Sequence, residues 1–456
     1  MTERERERER MTEQDAALAA AVRAGDAERV RDLLDAGADP DSAAEDGLPV
    51  LCTAVATFAY GVAEVVVEAG ADPDRRLPDG TTPLLRAIES GSPAVFEAAL
   101  GAEPRLRLAP EQREELLAAA RGWYEEGPAA RLRRLTGDPG PVAARAVREG
   151  EGGTLTEYAV GGRRVRDGHG AILTALEWAF RILTPPAELV ARAVRHGDPE
   201  HADWSASEWT LTVRRSAETW AEVVAFHRHP DPLPRLFVLD VFGMHALTGG
   251  LTQHAAWYER ERLQLLGTWV EVEDDGAVLA RLLRALADED FPGSEAVGLR
   301  HAGHADARVR REVPGLFDRP LTPRAAGAVR ALCHDPDAGV RAAAVDALAD
   351  ADPAPENRLL LLALLTDADP HVARRASHAT ARGADRAPET TEALVRLLDA
   401  EDQDIRLSAA YGLALRDDPR TVEAYARVGR LDRPEYEHDP RADGLWRWKL
   451  RNAPSG

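Results

Sequence analysis

Histidines beside carboxylates are the residues of this chain whose spacing comes nearest to metal chemistry. Two groups have this character: His227, His229 and Asp231, and His301, His304 and Asp306. Two imidazoles three residues apart on a helix can chelate zinc or iron. Such pairs are common by chance, however, and both groups come directly before predicted turns, where polar residues belong for structural reasons. We therefore expect no metal and no other cofactor.

Residues that bind phosphate or act as nucleophiles are scarce. Lys449 is the only lysine, and it lies near the C-terminus without the glycine-rich loop of a phosphate site. No Gly-x-Ser-x-Gly sequence occurs. Cys52 and Cys333 fall at apolar helical positions, which indicates packed thiols in a reducing compartment rather than nucleophiles or a disulfide. Catalysis is therefore the less favoured interpretation.

Tryptophans crowd into the middle third of the chain. Six of the nine lie there: Trp178, Trp204, Trp209, Trp220, Trp257 and Trp269. Such residues ordinarily fill the core where two dissimilar blocks meet, and we favour this interpretation. The alternative is an exposed aromatic pocket, the kind of surface where interface anchors concentrate. Its candidate residues are Trp204, Trp209, Trp220 and His227.

The charge of the chain bears on the class of partner. The 456 residues carry a net charge of −21, with a pI near 5.1. A nucleic-acid footprint needs clustered basic charge to displace counterions from phosphates, so no nucleic-acid partner is expected. A protein partner with a basic surface fits this balance better. Almost all the basic residues are arginine, which indicates the codon usage of a GC-rich bacterium.

Two sets of recurring signals indicate internal repeats. The sequence Gly-Ala-Asp-Pro-Asp at 37–41 returns at 70–74, after 33 residues. Further along, a turn with Asp three residues before Val or Ile returns after 31, 32 and 33 residues. Its aspartates are Asp306, Asp337, Asp369 and Asp402, and the residues three further on are Val309, Val340, Val372 and Ile405. Periods of this size are typical of stacked helical hairpins, each covering its neighbour's apolar face.

Residues 14–101 resemble ankyrin repeats. The family signature Asp-Gly-x-Thr-Pro-Leu-His-x-Ala is matched closely by residues 79–87 (DGTTPLLRA) and loosely by 46–54. Ankyrin blocks in general bind proteins through their turns and inner-helix face. The resemblance therefore implies a set of contact candidates. They are Arg75, Arg76, Asp79, Thr81 and Arg86.

From about residue 205 the chain resembles HEAT repeats, which pair two helices across a short Asp-bearing turn. In the four turns given above, Asp can cap the second helix and the β-branched residue begins its buried face. Arg341 and Arg406 follow two of the turns directly, and Arg374 lies one residue further on after a third. These arginines either line the concave face or pair with the turn aspartates between repeats, and the structural role is favoured. HEAT relatives include DNA glycosylases and phycobilin lyases, which keeps an enzymatic alternative open.

The N-terminus shows no targeting signal. Glu and Arg alternate through Arg10, and the chain restarts with Met-Thr-Glu at Met11. We expect a disordered leader at 1–11 and a true start at Met11. No segment has the apolar core of a signal peptide or the length of a membrane span, so a cytoplasmic protein without a membrane partner is expected.

Together these patterns predict an all-α fold. It is an α–α superhelix, or solenoid, of ankyrin-like and then HEAT-like repeats, with a small β-hairpin at the junction. The hairpin is expected between Thr154 and Val165, around the turn Gly161-Gly162. The predicted segments are a leader at 1–11, ankyrin-like repeats at 12–101, a helical junction with the hairpin and a degenerate ankyrin-like unit at 102–204, HEAT-like repeats at 205–432, and a cap or tail at 433–456.

The favoured function is a non-catalytic protein-binding scaffold or adaptor that uses the solenoid surfaces. The alternative is a HEAT-type enzyme or small-molecule binder, lyase-like or DNA-glycosylase-like, that uses the aromatic junction. The two differ in the state of the mid-chain tryptophans, which are packed in the first case and line a pocket in the second. The oligomeric state stays open.

Overall fold

The computed structural model describes residues 3–44, 46–150, 153–249, 255–289, 291–349, 354–431 and 434–452. The chain divides into two compact units, residues 1–248 and 249–456, and each is described by itself. Helices account for 66% of the chain, which confirms the predicted, mostly helical fold. None of the described helices is long and apolar enough to cross a membrane.

The structure describes fourteen helices in the first unit, and nine of them form two rows. The fourteen helices are α1 (Glu3–Ala24), α2 (Ala27–Asp35), α3 (Val50–Thr57), α4 (Tyr60–Glu68), α5 (Pro83–Ser90), α6 (Pro93–Leu100), α7 (Pro104–Arg107), α8 (Pro110–Glu126), α9 (Pro128–Thr136), α10 (His169–Ala179), α11 (Pro186–Val194), α12 (Ala202–Arg214), α13 (Ala217–Ala225) and α14 (Pro232–Gly249). One row contains α1, α3, α5, α8, α10 and α12, each in contact with the next. In the second row, α2 contacts α4 and α4 contacts α6.

Helix α1 overlaps the segment that was expected to be a disordered leader. Residues 3–11 lie within this helix, whereas residues 1–2 lie outside the described part of the chain. Glu and Arg both have high helix propensity, and the segment contains no glycine or proline to interrupt a helix.

Helix α5 shows how the sequence signature of residues 79–87 folds. Thr82 precedes the helix, and its hydroxyl accepts a hydrogen bond from the amide of Leu85 at 3.1 Å. Pro83 occupies the first turn, where a missing amide hydrogen costs nothing. Gly91 ends the helix in the left-handed conformation, at φ +68°. The Thr-Pro pair therefore starts this helix, and glycine ends it.

A three-stranded antiparallel sheet follows α9. Its strands are β1 (Ala143–Arg148), β2 (Thr154–Val160) and β3 (Arg163–Arg166), in the order β1-β2-β3. Gly161 and Gly162 form the β2–β3 turn with φ of +56° and +76°, so the predicted hairpin is confirmed. Strand β1 was not predicted, because its Ala and Arg residues favour a helix and are mostly exposed.

The sheet is attached to the helices by backbone and charged contacts. The amide of Gly168, just after β3, donates to the carbonyl of Gly91 at 3.0 Å. Glu149, just after β1, is buried, accepts a hydrogen bond from the Ala94 amide at 3.0 Å, and pairs with Arg166. These contacts join the sheet to the turn between α5 and α6 and to the first turn of α6.

The second unit repeats one helix-pair arrangement. Its helices are α15 (Ala255–Trp269), α16 (Gly276–Ala287), α17 (Ser294–His301), α18 (Ala307–Glu312), α19 (Pro323–Leu332), α20 (Ala338–Ala349), α21 (Pro355–Leu364), α22 (Pro370–Arg382), α23 (Pro388–Leu397), α24 (Gln403–Ala414), α25 (Thr421–Val428) and α26 (Pro440–Arg451). Helices α16, α18, α20, α22, α24 and α26 form a row of successive contacts. On the other side α17 contacts α19, and α21 contacts α23.

The turn aspartates start the helices of this row. Asp306, Asp369 and Asp402 each accept hydrogen bonds from amides of the first turn, as the sequence predicts for an N-cap. Asp337 accepts from the Val340 amide at 3.0 Å. A further copy, missed in the sequence, begins at Asp275, which caps α16 and lies 31 residues before Asp306.

Arginines after the turns connect neighbouring repeats. Arg341 contacts Asp367 through Nε and Nη2 at 2.8 and 2.7 Å, and its Nη1 donates to two carbonyls of the preceding turn. Arg310 makes the same set of contacts with Asp335. Arg374 contacts Asp402, and Arg406 donates to carbonyls at 400–401 and 427–428. These contacts match the structural role favoured from the sequence.

Both cysteines are free thiols in the packed interior. Burial raises the pKa of Cys52 to about 11, although the charge of Arg86 lowers it in part. Burial alone raises the pKa of Cys333 to about 12. Because the thiolate is the nucleophilic form, neither position supports covalent chemistry.

Candidate functional site

A groove in the first unit brings together glutamates and exposed aromatic rings. We call it the acidic groove, and its volume is about 960 Å³. Its charged and aromatic lining residues are Tyr60, Glu64, Glu68, Glu97, Glu149 and Trp209. No arginine or histidine lines it among the residues that the structure describes.

Three helices position these side chains by their periodicity. On α4, Tyr60, Glu64 and Glu68 are spaced four residues apart and therefore share one face. Helix α6 contributes Glu97, and α12 contributes Trp209, with small residues on the same faces. Those small residues are Ala94, Ala98, Ala202, Ser205 and Ala206. The groove therefore has a floor of small side chains and a rim of carboxylates and rings.

Three of the four groove glutamates lack compensating cations. Glu64, Glu68 and Glu97 form no ion pair with any residue in the described part of the chain. Burial raises the pKa of Glu97, and the charge of Glu149 raises it further. Negative charge is therefore concentrated in the groove and favours a positively charged ligand.

The two aromatic rings are exposed. Trp209 is 52% exposed and Tyr60 is 44% exposed, unlike most large aromatic residues of this chain. An exposed indole face gives up the free energy that its burial would provide. Aromatic faces also attract cations, so rings and carboxylates favour the same class of ligand.

The structure separates the four residues of the predicted aromatic pocket. Trp204 and Trp220 are buried, the first donating from Nε1 to Asp240 at 3.1 Å and the second stacking on Phe242 at 4.7 Å. His227 lies after α13, where its Nδ1 donates to the Val224 carbonyl at 2.6 Å. Of these four residues, Trp209 alone lines the acidic groove, together with four glutamates.

The contact candidates taken from the ankyrin resemblance are engaged within the chain. Arg86 pairs with Asp79 at 2.7 Å and donates to Thr81 at 3.1 Å. Arg76 forms a two-point contact with Glu115. Arg75 donates to the carbonyl of Asp41 at 3.5 Å. Such local contacts order the turns, and they leave these side chains fewer donors for a partner.

Three histidines that precede helices accept a backbone hydrogen bond in the turn before the helix. The Nδ1 atoms of His229 and His304 accept from the amides of Asp231 and Asp306, two residues on, each at 3.1 Å. This contact is the structural role expected for polar residues at these turns. His201 does the same with the amide of Asp203, at 3.1 Å, and so caps α12.

A cluster of two histidines and two aspartates lies at the start of α12. His201 Nε2 is 3.2 Å from Asp167, and His196 Nε2 is 3.3 Å from Asp203. The two imidazole rings stack, with centroids 3.7 Å apart and planes 11° apart. Three ligand atoms of this cluster, from Asp167, His196 and His201, lie within 4.8 Å of one another.

The orientation of the rings argues against a metal held by both histidines. Nδ1 of His201 accepts an amide hydrogen bond, so the proton of the neutral ring lies on Nε2, the atom that would have to bind the metal. In addition, one ion cannot lie in the planes of two parallel, stacked imidazoles. We therefore interpret the cluster as a clasp that joins the β3–α10 turn to α12.

Charge interactions shift two pKa values in this clasp. Burial disfavours the charged form of His201, but the hydrogen bond with Asp167 and the charges of Asp203, Asp167 and Asp198 outweigh it and raise its pKa. Burial also opposes ionisation of Asp167, but hydrogen bonds from His201 and the Thr156 amide help lower its pKa. Protonation of His201 therefore strengthens its pairing with Asp167, but it also removes the Nδ1 lone pair that caps α12.

Replacing His201 by asparagine is expected to remove a pH-dependent part of the stability. The raised pKa of His201 contributes to the free energy of unfolding. This contribution is full below about pH 6.5 and is lost as the pH rises through the folded-state pKa. The lowered pKa of Asp167 gives a second contribution to stability, which is present above about pH 3.9 and is lost at lower pH. Asparagine can keep the helix cap without titrating. Denaturant unfolding across this range measures the effect, and a pH-independent difference between wild type and variant would contradict it.

Comparisons with known proteins identify no family. The chain matches no protein-family model and no curated protein. Among solved structures it is similar to YibA of Escherichia coli, with a TM-score of 0.41 and 16% identity, over 54% of this chain and 92% of that one. A likeness of this degree assigns no function.

Proposed function

We propose that the chain is a non-catalytic binding protein whose acidic groove receives a lysine- or arginine-rich segment of a protein partner. We interpret the repeated helix pairs as a solenoid with ankyrin-like and HEAT-like parts, a class in which surfaces usually carry the function. One observation carries the proposal. Unpaired Glu64, Glu68 and Glu97 lie in one groove with two exposed aromatic rings, and no cation lines the groove in the described part of the chain.

A cationic side chain would find two complementary groups in this groove. Carboxylates attract the charge, and the face of Trp209 or Tyr60 can cover an ammonium or guanidinium group. The small residues of the floor let a main chain approach the helices closely. The groove volume of about 960 Å³ exceeds what a single ammonium or guanidinium group fills, which favours a peptide over a single small cation.

Two other classes of ligand have less support. A phosphate backbone would meet only negative charge in this groove. A small-molecule site at the aromatic junction would need Trp204 and Trp220 in its lining, but both are buried against neighbouring side chains.

Replacing Trp209 by alanine is expected to weaken the binding of a fluorescein-labelled lysine–alanine peptide by about twofold to thirtyfold, since a cation–π contact contributes about 0.5–2 kcal/mol. The variant Glu64→Gln with Glu68→Gln is expected to weaken it by on the order of tenfold and to reduce its salt dependence. Fluorescence anisotropy with the full-length protein measures both effects.

Matched controls separate the groove from general charge. Trp446→Ala removes another exposed tryptophan, and Glu114→Gln removes another exposed glutamate outside the groove. Both controls should bind the peptide as the wild type does. Equal losses in controls and groove variants, or no binding by the wild type, would contradict the proposal.

A further inference from the structure

The second unit contains a groove of the opposite charge. Two adjoining cavities of about 730 and 620 Å³ lie along the helix row and share Asp346, His371 and Arg375. We call their combined surface the basic groove. It extends from Arg284 on α16 to Arg441 on α26 and is therefore longer than a compact ligand needs.

Basic residues outnumber acidic residues in this lining. The arginines are Arg284, Arg311, Arg319, Arg374, Arg375, Arg382 and Arg441, and the histidines are His371 and His378. The carboxylates are Asp288, Glu312, Asp346, Asp404 and Asp439. The whole chain has the reverse balance, with 57 arginines and lysines against 78 acidic residues. Positive charge is thus concentrated in this groove against the trend of the chain.

The pKa of His378 is affected by the charges of the groove. Burial lowers its pKa, and the charges of Arg441 and Arg382 lower it further, against the opposing effects of Asp439 and Asp346. Its Nδ1 is buried and has no hydrogen-bond partner within the described part of the chain. The charges of Arg441 and Arg382 next to His378 favour an acidic group at this end of the groove.

Three of the groove arginines are less fully engaged than Arg310 and Arg341. Arg310 and Arg341 direct all three guanidinium nitrogens to aspartates and carbonyls, and their side chains are 13% and 17% exposed. Arg311, Arg374 and Arg375 each contact one acidic residue through one nitrogen, and their side chains are 47%, 50% and 42% exposed. Their remaining N–H groups can therefore donate to a carboxylate.

We propose that the basic groove binds an extended, aspartate- or glutamate-rich segment of a protein partner. This surface lies in the other unit and takes the opposite charge, so it does not depend on the acidic groove. Five carboxylates interrupt the arginines, and this spacing suits a peptide whose charges are also spaced. A phosphate backbone, with a charge at every nucleotide, would need a more continuous basic lining.

The test is anisotropy of a fluorescein-labelled glutamate–alanine peptide with the full-length chain. The wild type should bind in a salt-dependent manner, and Arg375→Gln with Arg382→Gln should weaken binding by about tenfold or more. Arg396→Gln, an exposed arginine on α23 outside the groove, is the matched control and should bind like the wild type. Trp209→Ala should also bind normally, which separates this site from the acidic groove.

A second variant guards against loss of folding. Ala343→Glu adds a carboxylate to the groove without removing an ion pair, and should weaken binding to a similar degree. Circular dichroism confirms that each variant is folded. The proposal is wrong if the wild type does not bind, or if folded groove variants bind as tightly as Arg396→Gln. Tighter, Arg375-dependent binding of a single-stranded DNA oligonucleotide would overturn the assignment to an acidic protein.

Discussion

Replacing Arg192 by alanine is expected to lower the free energy of unfolding by about 3–5 kcal/mol, the usual cost of removing one partner of a buried ion pair. The side chain of Arg192 is fully buried on α11. It contacts Glu177 of α10 through Nη1 at 2.7 Å and Nη2 at 3.2 Å. Arg192 also pairs with Glu188 and donates to the Thr174 hydroxyl at 3.0 Å.

The cost arises mainly from the carboxylate left behind. The side chain of Glu177 is only 4% exposed, so water cannot replace the guanidinium. Arg121 lies 3.6 Å from Glu177, but its side chain is half exposed and holds the carboxylate less tightly. The double variant Arg192→Met with Glu177→Met should recover much of the lost stability, because it removes both charges and keeps the volume filled.

Denaturant unfolding followed by circular dichroism tests this prediction. Hydrogen exchange of the α10 and α11 amides assigns the loss to the first unit, which matters because two compact units need not unfold together. Arg134→Ala, which breaks a pair with Glu126 on the surface, should change stability little. If Arg192→Ala behaves like Arg134→Ala, Arg192 does not hold α10 and α11 together.

Replacing Gly91 by alanine is expected to destabilise the first unit through two separate effects. Gly91 has a φ of +68°, and a side chain in this left-handed region costs about 1–2 kcal/mol. A Cβ atom there would also overlap the Arg166 carbonyl and approach the His169 ring to 2.6 Å. Backbone cannot rotate away as a side chain can, so we expect a further ~1–3 kcal/mol from overpacking.

Gly25 offers a matched control in the same unit. It has a similar φ of +74°, but no atom lies within 4 Å of the position its Cβ would take. Gly25→Ala should therefore show only the cost of the backbone conformation, and denaturant unfolding of both variants isolates the cost of the sheet contact. Equal losses for the two variants would show that the β3–α10 turn does not pack on Gly91 as described.

The two binding proposals give the chain a consistent role. An acidic groove with aromatic rings and a basic groove with half-exposed arginines would let one protein bind two segments of opposite charge. This is the behaviour of an adaptor, and each groove can be tested without altering the other. The long charged side chains of this protein would then act in recognition where they are exposed, and in holding the repeats together where they are buried.

The sequence alone determined the features that depend on a few neighbouring residues. The Asp turn caps and the Gly161-Gly162 turn were both predicted, because each requires a backbone conformation that only certain residues favour. The structural role of Arg341 followed from its fixed place after a turn. Strand β1 was missed because its Ala and Arg residues favour helix, and pairing with β2 decides its conformation.

Only the tertiary structure decided which side chains share a surface. Tyr60, Glu97, Glu149 and Trp209 are far apart in the sequence and meet because three helices and the end of β1 converge. The sequence grouped Trp209 with Trp204 and Trp220 by composition, yet Trp204 and Trp220 are buried and Trp209 is exposed. The local sequence fixes which face of a helix a residue occupies. Whether that face is covered depends on helices that pack against it from distant parts of the chain.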